Sequence, residues 1–276
     1  MFKRLLLFLL ILLLCAVAYF IIFENELVTD QINNERNSEK VDSIFIKKST
    51  YVDFSLPLKT VNQVVKHQIY TLSYSESDEQ AEWVAYKLFK NSINHSIKRK
   101  DNFRQDISIT TGSATLKDYK NSGFDRGHLA PAKTMSYSKE TMSDSFFMSN
   151  MSPQKPSFNR GIWKKLEEKV RDLILISDSL YIVTGPVLEN SLGKIGENKV
   201  TIPSAYYKTI IRFKDDKLFG IGFLLKNEKS NRELSMFSVS IDSIEKVTGL
   251  NFFYQLDSVV QNRIERNSKY QYFIQK

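Results

Sequence analysis

The sequence predicts an α+β fold. Short runs of aromatic and β-branched residues recur at strand spacing, and one long amphipathic helix pattern lies near the middle of the chain. Strands and helices do not alternate strictly, which argues against a doubly wound parallel sheet. A chain of 276 residues, 42% hydrophobic and 25% charged, can bury one sizeable continuous core.

The elements follow in order. Lys3 and Arg4 precede an apolar or weakly polar run, Leu5–Phe23. As a helix it would be roughly 28 Å long, close to the hydrocarbon thickness of a bilayer. The two cations stay cytoplasmic by the positive-inside tendency, which sends the remainder across the membrane. Residues 1–23 therefore read as a transmembrane signal-anchor, 24–49 as a polar tether and 50–276 as the folded domain. A cleaved leader is the rival, but the run exceeds a usual leader core and no small-x-small site ends it cleanly. A lipidated Cys15 is a third reading, opposed by the bulky Leu14 before it. The expected location is membrane-anchored with the folded domain extracytoplasmic, in a bacterial envelope, or secreted if the leader is cleaved.

Within the domain, "HQIYTLSY" (67–74) and "EWVAYKLF" (82–89) read as strands paired through the acidic turn "SESDEQ". Further strands are expected at Ser145–Met148, Leu180–Thr184, Tyr206–Phe213 and Leu218–Leu225, the last two joined at "KDD". In "SFNRGIWKKLEEKVRDLILI" (157–176), Ile162, Leu166, Val170, Leu173 and Ile174 recur at helical spacing, with Pro156 just upstream and Ser157 or Asn159 able to cap the start. A shorter helix is expected at about Ile241–Thr248.

Composition excludes some chemistry. The only cysteine, Cys15, lies in the apolar run, so the domain can form no internal disulfide and offers no thiolate nucleophile. Setting aside Lys3 and Arg4 leaves 37 cationic against 31 acidic residues, a modest bias toward a polyanionic partner. Of the three histidines, His67 reads as strand packing and His95 as a loop residue. His128 differs: it sits in "SGFDRGHLAPAK", where strand alternation puts it on the face of Arg126 and opposite Asp125 and Gly127. An imidazole beside a guanidinium can deprotonate water while the cation binds an anionic group. The segment lacks the spacing and lysine of a phosphate-cradling loop.

On the long helix, Asn159, Trp163, Glu167 and Arg171 follow at intervals of four, each drifting ~40° around the axis, so Asn159 and Glu167 share a flank. An asparagine carbonyl is a suitable hard-oxygen ligand for magnesium, and a helix N-terminus accommodates phosphate. The plainer alternatives are Asn159 as a helix cap and Glu167–Arg171 as a surface pair.

"YKNSGFDRGHLAPA", "FFMSNMSPQ", "FNRGIWKKLEEKVR" and "YIVTGP" together resemble, in order and separation, the motifs of the DNA/RNA non-specific endonuclease family, from roughly Tyr70 to Leu225. The resemblance implies a ββα-metal (His-Me finger) nuclease core on a mixed or antiparallel sheet. It implies His128 as general base, Asn159 as direct metal ligand, Glu167 holding a water of the metal, and Arg171 steadying the phosphate or leaving group. Arg126 would sit near substrate or frame the site, and Asn150 would support the histidine. An upstream substrate arginine is implied too, for which both Arg99 and Arg104 qualify. The implied cofactor is Mg2+, with Mn2+ or another divalent cation able to substitute; the implied partners are DNA and RNA substrates, and a homodimer. Two readings compete: a membrane-tethered nucleic-acid-binding protein on a degenerate nuclease fold, and a phosphodiesterase acting on small esters. The basic patch Lys98, Arg99, Lys100 and Arg104 reads either as a backbone guide or as a solvated surface.

Overall fold

The computed structural model describes Phe20, Glu24 and residues 56–58, 61–92 and 97–275. The anchor and tether therefore lie outside the described residues except at Phe20 and Glu24, and His95 lies outside them as well. Among the described residues no helix is long and apolar enough to cross a membrane.

The core is a seven-stranded sheet in the order β1-β2-β3-β6-β9-β10-β11. These strands are β1 (Gln63–Lys66), β2 (Tyr70–Ser75), β3 (Gln80–Phe89), β6 (Ser179–Val187), β9 (Ala205–Lys214), β10 (Lys217–Lys226) and β11 (Ser238–Val239). Every neighbouring pair is antiparallel, which resolves the expected mixed or antiparallel sheet in favour of the latter. The two long strand pairs foreseen from the sequence are both present. β9 and β10 turn at Asp215 and Asp216, both at positive φ, as a tight two-residue hairpin turn requires.

Strand alternation gives the sheet two buried faces. One, with Leu72, Tyr86, Ile182, Tyr206 and Ile210, packs against Ile162, Trp163, Leu166 and Val170 of the long helix. The other, with Trp83, Val183, Tyr207 and Ile211, packs against Ile241 and Ile244 of the helix Ile241–Thr248 and Val260 and Ile264 of the helix Ser258–Glu265. The sheet is thus the middle of three layers. The Ile241–Thr248 helix starts on the Ser240 cap and ends at Gly249 in the left-handed region, as its sequence predicts. The helix Ser258–Glu265 lacked a comparable sequence signal.

A separate hairpin, β4 (Asp125–His128) with β5 (Met151–Gln154), lies on the long-helix side; a small pair, β7 (Lys194–Ile195) and β8 (Val200–Thr201), completes the strands. Here the structure departs from two expectations. Ser145–Met148 is not a strand: Ser145 ends the helix Lys139–Asp144, and a 3-10 turn follows at Met148–Asn150. Phe146 and Met148 are buried in different clusters rather than along one ladder; the segment makes a single isolated bridge, Phe147 with Arg104, and a continuous ladder begins at Met151. The long helix is also not continuous. A one-turn segment, Pro156–Phe158, is followed by a wide π-type turn over Asn159–Trp163, non-helical at Gly161, before the regular helix Lys164–Leu175. Its cap position is Lys155 with Pro156 next, so neither Ser157 nor Asn159 is the cap.

Helix Ser258–Glu265 approaches the sheet where β10 carries Gly220, and a Cβ there would collide with the backbone carbonyl of Ile264. A backbone neighbour cannot rotate away. Gly220→Ala should therefore cost about 1–3 kcal/mol, read as a lower denaturation midpoint, while the far face of the sheet keeps its geometry.

Candidate active site

The β4–β5 register sets Asp125 opposite Gln154, Arg126 opposite Pro153, Gly127 opposite Ser152 and His128 opposite Met151. The hairpin is riveted to the sheet by buried polar groups. Ser152 Oγ donates to Gln80 Oε1 at 2.5 Å and lies 2.7 Å from Tyr206 Oη. The Pro153 carbonyl accepts from Tyr206 Oη and Asn227 Nδ2 at 2.9 and 3.0 Å. Gly127 admits the Gln154 side chain where any Cβ would overlap it. Polar groups that would be costly to bury alone therefore fix the strand that carries His128.

The imidazole sits edge-to-face with Phe146, centroids 5.0 Å apart, and tilted against Phe103 at 5.8 Å. Nε2 is buried and has no hydrogen-bond partner, which leaves Nδ1 as the accessible nitrogen. Burial, reinforced by the Arg99 and Arg126 charges, pushes its pKa down to about 3, well below the ordinary histidine value. Arg126 stacks over Phe103 at 4.1 Å.

Asp125 links this strand to the helix. Its Oδ2 accepts from Asn159 Nδ2 at 2.9 Å and Arg160 Nε at 2.9 Å, and its Oδ1 from Arg160 NH2 at 2.7 Å. Burial alone would raise the carboxyl pKa; the hydrogen bonds from Arg160 and Asn159 outweigh it and hold the group below the usual carboxylate range. The bond to Asp125 fixes which end of the Asn159 amide faces the carboxylate, its NH2, so the carbonyl oxygen is turned away from Asp125. The π-type turn places Asn159 at this clamp, so the simple four-residue rotation applies only from Trp163 onward.

A cleft of about 760 Å³ brings together Arg99, Arg126, His128, Asn159, Glu167 and Arg171. Six of the eight residues singled out in the sequence thus share one concavity. Burial raises the Glu167 pKa, opposed by the charges of Lys208 and Arg171. Lys208, on β9, is fully buried beneath the helix; its Nζ lies 4.9 Å from the Trp163 ring centroid and 3.4 Å from Tyr86 Oη. Burial lowers its pKa, opposed by Glu167.

The other two residues are elsewhere. Asn150 is wholly buried and does not line the cleft. It clasps the chain leaving β4: its Oδ1 accepts from Ala130 N at 2.9 Å, and its Nδ2 donates to the carbonyls of Ala130 and Ser145. Arg104 is turned away. It donates to the Ser143 carbonyl at 2.8 Å, pairs with Asp144 at 3.7 Å and stacks on Phe147 at 3.9 Å. Sequence reasoning missed Asp125 as the clamp, Phe103 and Phe146 as walls, and Lys208. His67 is held by Asp106 at 2.9 Å and by Phe147 and Tyr70 rather than by strand pairing, a structural role.

The family model for DNA/RNA non-specific endonucleases matches residues 47–259. The chain belongs to that family. A nuclease of Nostoc sp. is 34% identical over 215 residues, spanning 73% of this chain and 77% of its own. Nuclease C1 of Cunninghamella echinulata is 33% identical over 72% of this chain and 85% of its own, and human mitochondrial endonuclease G 32% over 69% of each. The crystal structure of an EndoG/EndoGI complex contains a chain that superposes with a TM-score of 0.70 at 32% identity, covering 76% of this chain and 92% of that one. The family membership makes this protein an endonuclease that hydrolyses phosphodiester bonds of DNA and RNA. The family works with a divalent cation.

The Asp125 clamp yields a test. Asp125→Asn keeps the shape but replaces an acceptor with a donor facing Asn159 and weakens the Arg160 pair. Activity titrated against magnesium should then fall about 10–100-fold or need correspondingly more cation, with the circular dichroism spectrum preserved.

Proposed function

We propose that this endonuclease cuts with His128 as general base and Asn159 as the direct ligand of one Mg2+, for which Mn2+ or another divalent cation can substitute. The observation that carries this reading is the convergence of the accessible Nδ1 of His128 and the Asn159 carbonyl on one cationic cleft. The donor set suits a hard cation: a neutral amide oxygen whose NH2 is held by Asp125, and nearby Glu167, a half-buried carboxylate on the same cleft. Among the described residues, the one cluster of three carboxylates, Asp242, Glu245 and Glu265, lies on other helices, away from this cleft. A divalent cation held here would supply positive charge to the scissile phosphate and the leaving oxygen.

The chain's own residues do the rest. His128 Nδ1 accepts a proton from the water that attacks phosphorus. The P–O3′ bond breaks, and the leaving oxygen takes a proton from solvent, giving a 5′-phosphate and a 3′-hydroxyl. Arg126, Arg171 and Arg99 offset charge on the phosphate; of the two upstream candidates, Arg99 is the one that faces the cleft. No 2′-hydroxyl takes part, so both DNA and RNA are cut. Phe146 and Phe103 hold the imidazole against rotation. The apolar run Leu5–Phe23, preceded by Lys3 and Arg4, supports the reading that the catalytic domain is tethered outside the cytoplasm, in a bacterial envelope.

The decisive experiment incubates the protein with plasmid DNA and with RNA, with magnesium or with EDTA. His128→Ala should lower turnover about 10²–10⁴-fold, and Asn159→Ala should reduce the magnesium-dependent rate comparably. Wild-type rates in either variant would remove that residue from the mechanism; folded protein that binds DNA but cuts nothing with any divalent cation would favour the binding-protein reading.

The pH dependence has a definite sign. His128 is neutral in the fold down to about 3, whereas it protonates near ~6.5 in the unfolded chain. The unfolded state therefore binds the extra proton between those values, and this group's contribution to stability is full above ~6.5 and lost as pH falls toward 3. In a magnesium-free sample followed by NMR, the imidazole should show no midpoint above about pH 5, and Arg99→Ala should move the midpoint upward by removing a like charge.

A further inference from the structure

A second groove of about 800 Å³ adjoins the cleft and shares one residue with it, Arg99. Its walls carry Lys98, Lys100 and Lys139 with Asn102 and Ser143, and among the described residues no carboxylate lines it. All three lysines are exposed, and no described acidic group lies within ion-pair distance of them. Of the nearest acids, Asp101 pairs with Arg99 at 2.6 Å and Asp144 lies 3.7 Å from Arg104, while the exposed Glu140 is bonded within its own helix turn and feels the Lys139 charge without forming an ion pair with it.

Arg99 stands on the ridge between the two spaces. Its guanidinium lies 5.2 Å from the Phe146 ring, and that ring packs against His128. The ridge position of Arg99 lets a strand whose scissile phosphate is at His128 continue past it into the lysine-lined groove. The other exits are less uniformly cationic: along the helix Glu167 and Glu168 stand beside Lys164 and Arg171, and a smaller groove of about 320 Å³ past Arg126 carries Asp125 and a single lysine, Lys120.

We propose that this second groove is an extended phosphate-binding track, holding the polynucleotide backbone beyond the cut by Lys98, Lys100 and Lys139. This rests on the reading of the cleft as the cutting site. It makes the enzyme select chains of several nucleotides over small diesters, through contacts that add affinity and take no part in bond cleavage.

The test uses the full chain in detergent, with a dinucleotide and a 20-nucleotide single strand as substrates, across a range of salt. Lys98→Gln/Lys139→Gln is compared with Lys229→Gln/Lys246→Gln, which removes the same charge elsewhere on the surface. The track variant should show a raised KM for the long strand, unchanged kcat, unchanged dinucleotide cleavage, and a log–log salt slope shallower by roughly 1.4, two contacts at ~0.7 each. An unchanged salt slope and KM would overturn the track. An equal effect of the control pair would overturn it too, by assigning the effect to net charge. If wild type cut neither substrate, the cutting-site reading itself would fail, a result distinct from either of these.

Discussion

The carboxylate of Asp125 is the joint on which the site depends. It belongs to the hairpin, its three donors belong to the chain entering the helix, and neither half alone brings the His128 imidazole and the Asn159 amide to one cleft. His128 lies three residues along the same strand, so a rigid extended segment of about 10 Å carries the clamp's position to the imidazole. The Arg160 contact is largely solvent-exposed and contributes little stability by itself. Its role is geometric: it holds both carboxylate oxygens in one orientation, so that Asn159 must present its NH2 inward and its carbonyl outward.

Beneath the helix a second electrostatic arrangement supports the first. Lys208 is buried among Trp163 and Tyr86, and its strongest charged neighbour is Glu167. A buried ammonium without a partner would be costly, and so would a buried carboxylate. Each opposes the pKa shift that burial imposes on the other. The pair therefore couples the floor of the cleft to the central strand β9, and Trp163 fixes the helix above it through both aromatic packing and the lysine charge.

Much of this was legible in the sequence because local signals and tertiary demands agreed. The helical stripe from Ile162 to Ile174 is buried as its period requires, and the β9–β10 hairpin follows its turn residues. Six candidate site residues meet because they sit on two elements whose faces alternation and helical spacing define. What failed had tertiary causes. The π-type turn at Gly161 accompanies the Asn159–Asp125 bond, a contact across 34 residues that no local pattern encodes. Arg99 and Arg104 are five residues apart in one basic run, and only long-range contacts with Ser143, Asp144 and Phe147 withdraw Arg104. Lys208 did carry a signal: in "YYKTII" it occupies the inward position between Tyr206 and Ile210, where a lysine is out of place.

The low pKa of His128 looks ill-suited to a base, and the composition of the cleft explains why it is not. Cations line the cleft around Arg99, Arg126, Lys133, Arg160, Lys164 and Arg171, against four carboxylates, three of which are already paired. Their field and burial both oppose protonation of the imidazole in the bare protein. A phosphodiester entering the cleft brings negative charge to those same cations and cancels part of that field, so the imidazole becomes more basic when there is a phosphate to attack. A carboxylate in place of Asn159 would cancel the same charge permanently, leaving the cleft less attractive to substrate. In the proposed mechanism the neutral amide keeps the positive field available until substrate arrives, which ties an uncharged residue at position 159, the surplus of arginine and the depressed histidine to one requirement.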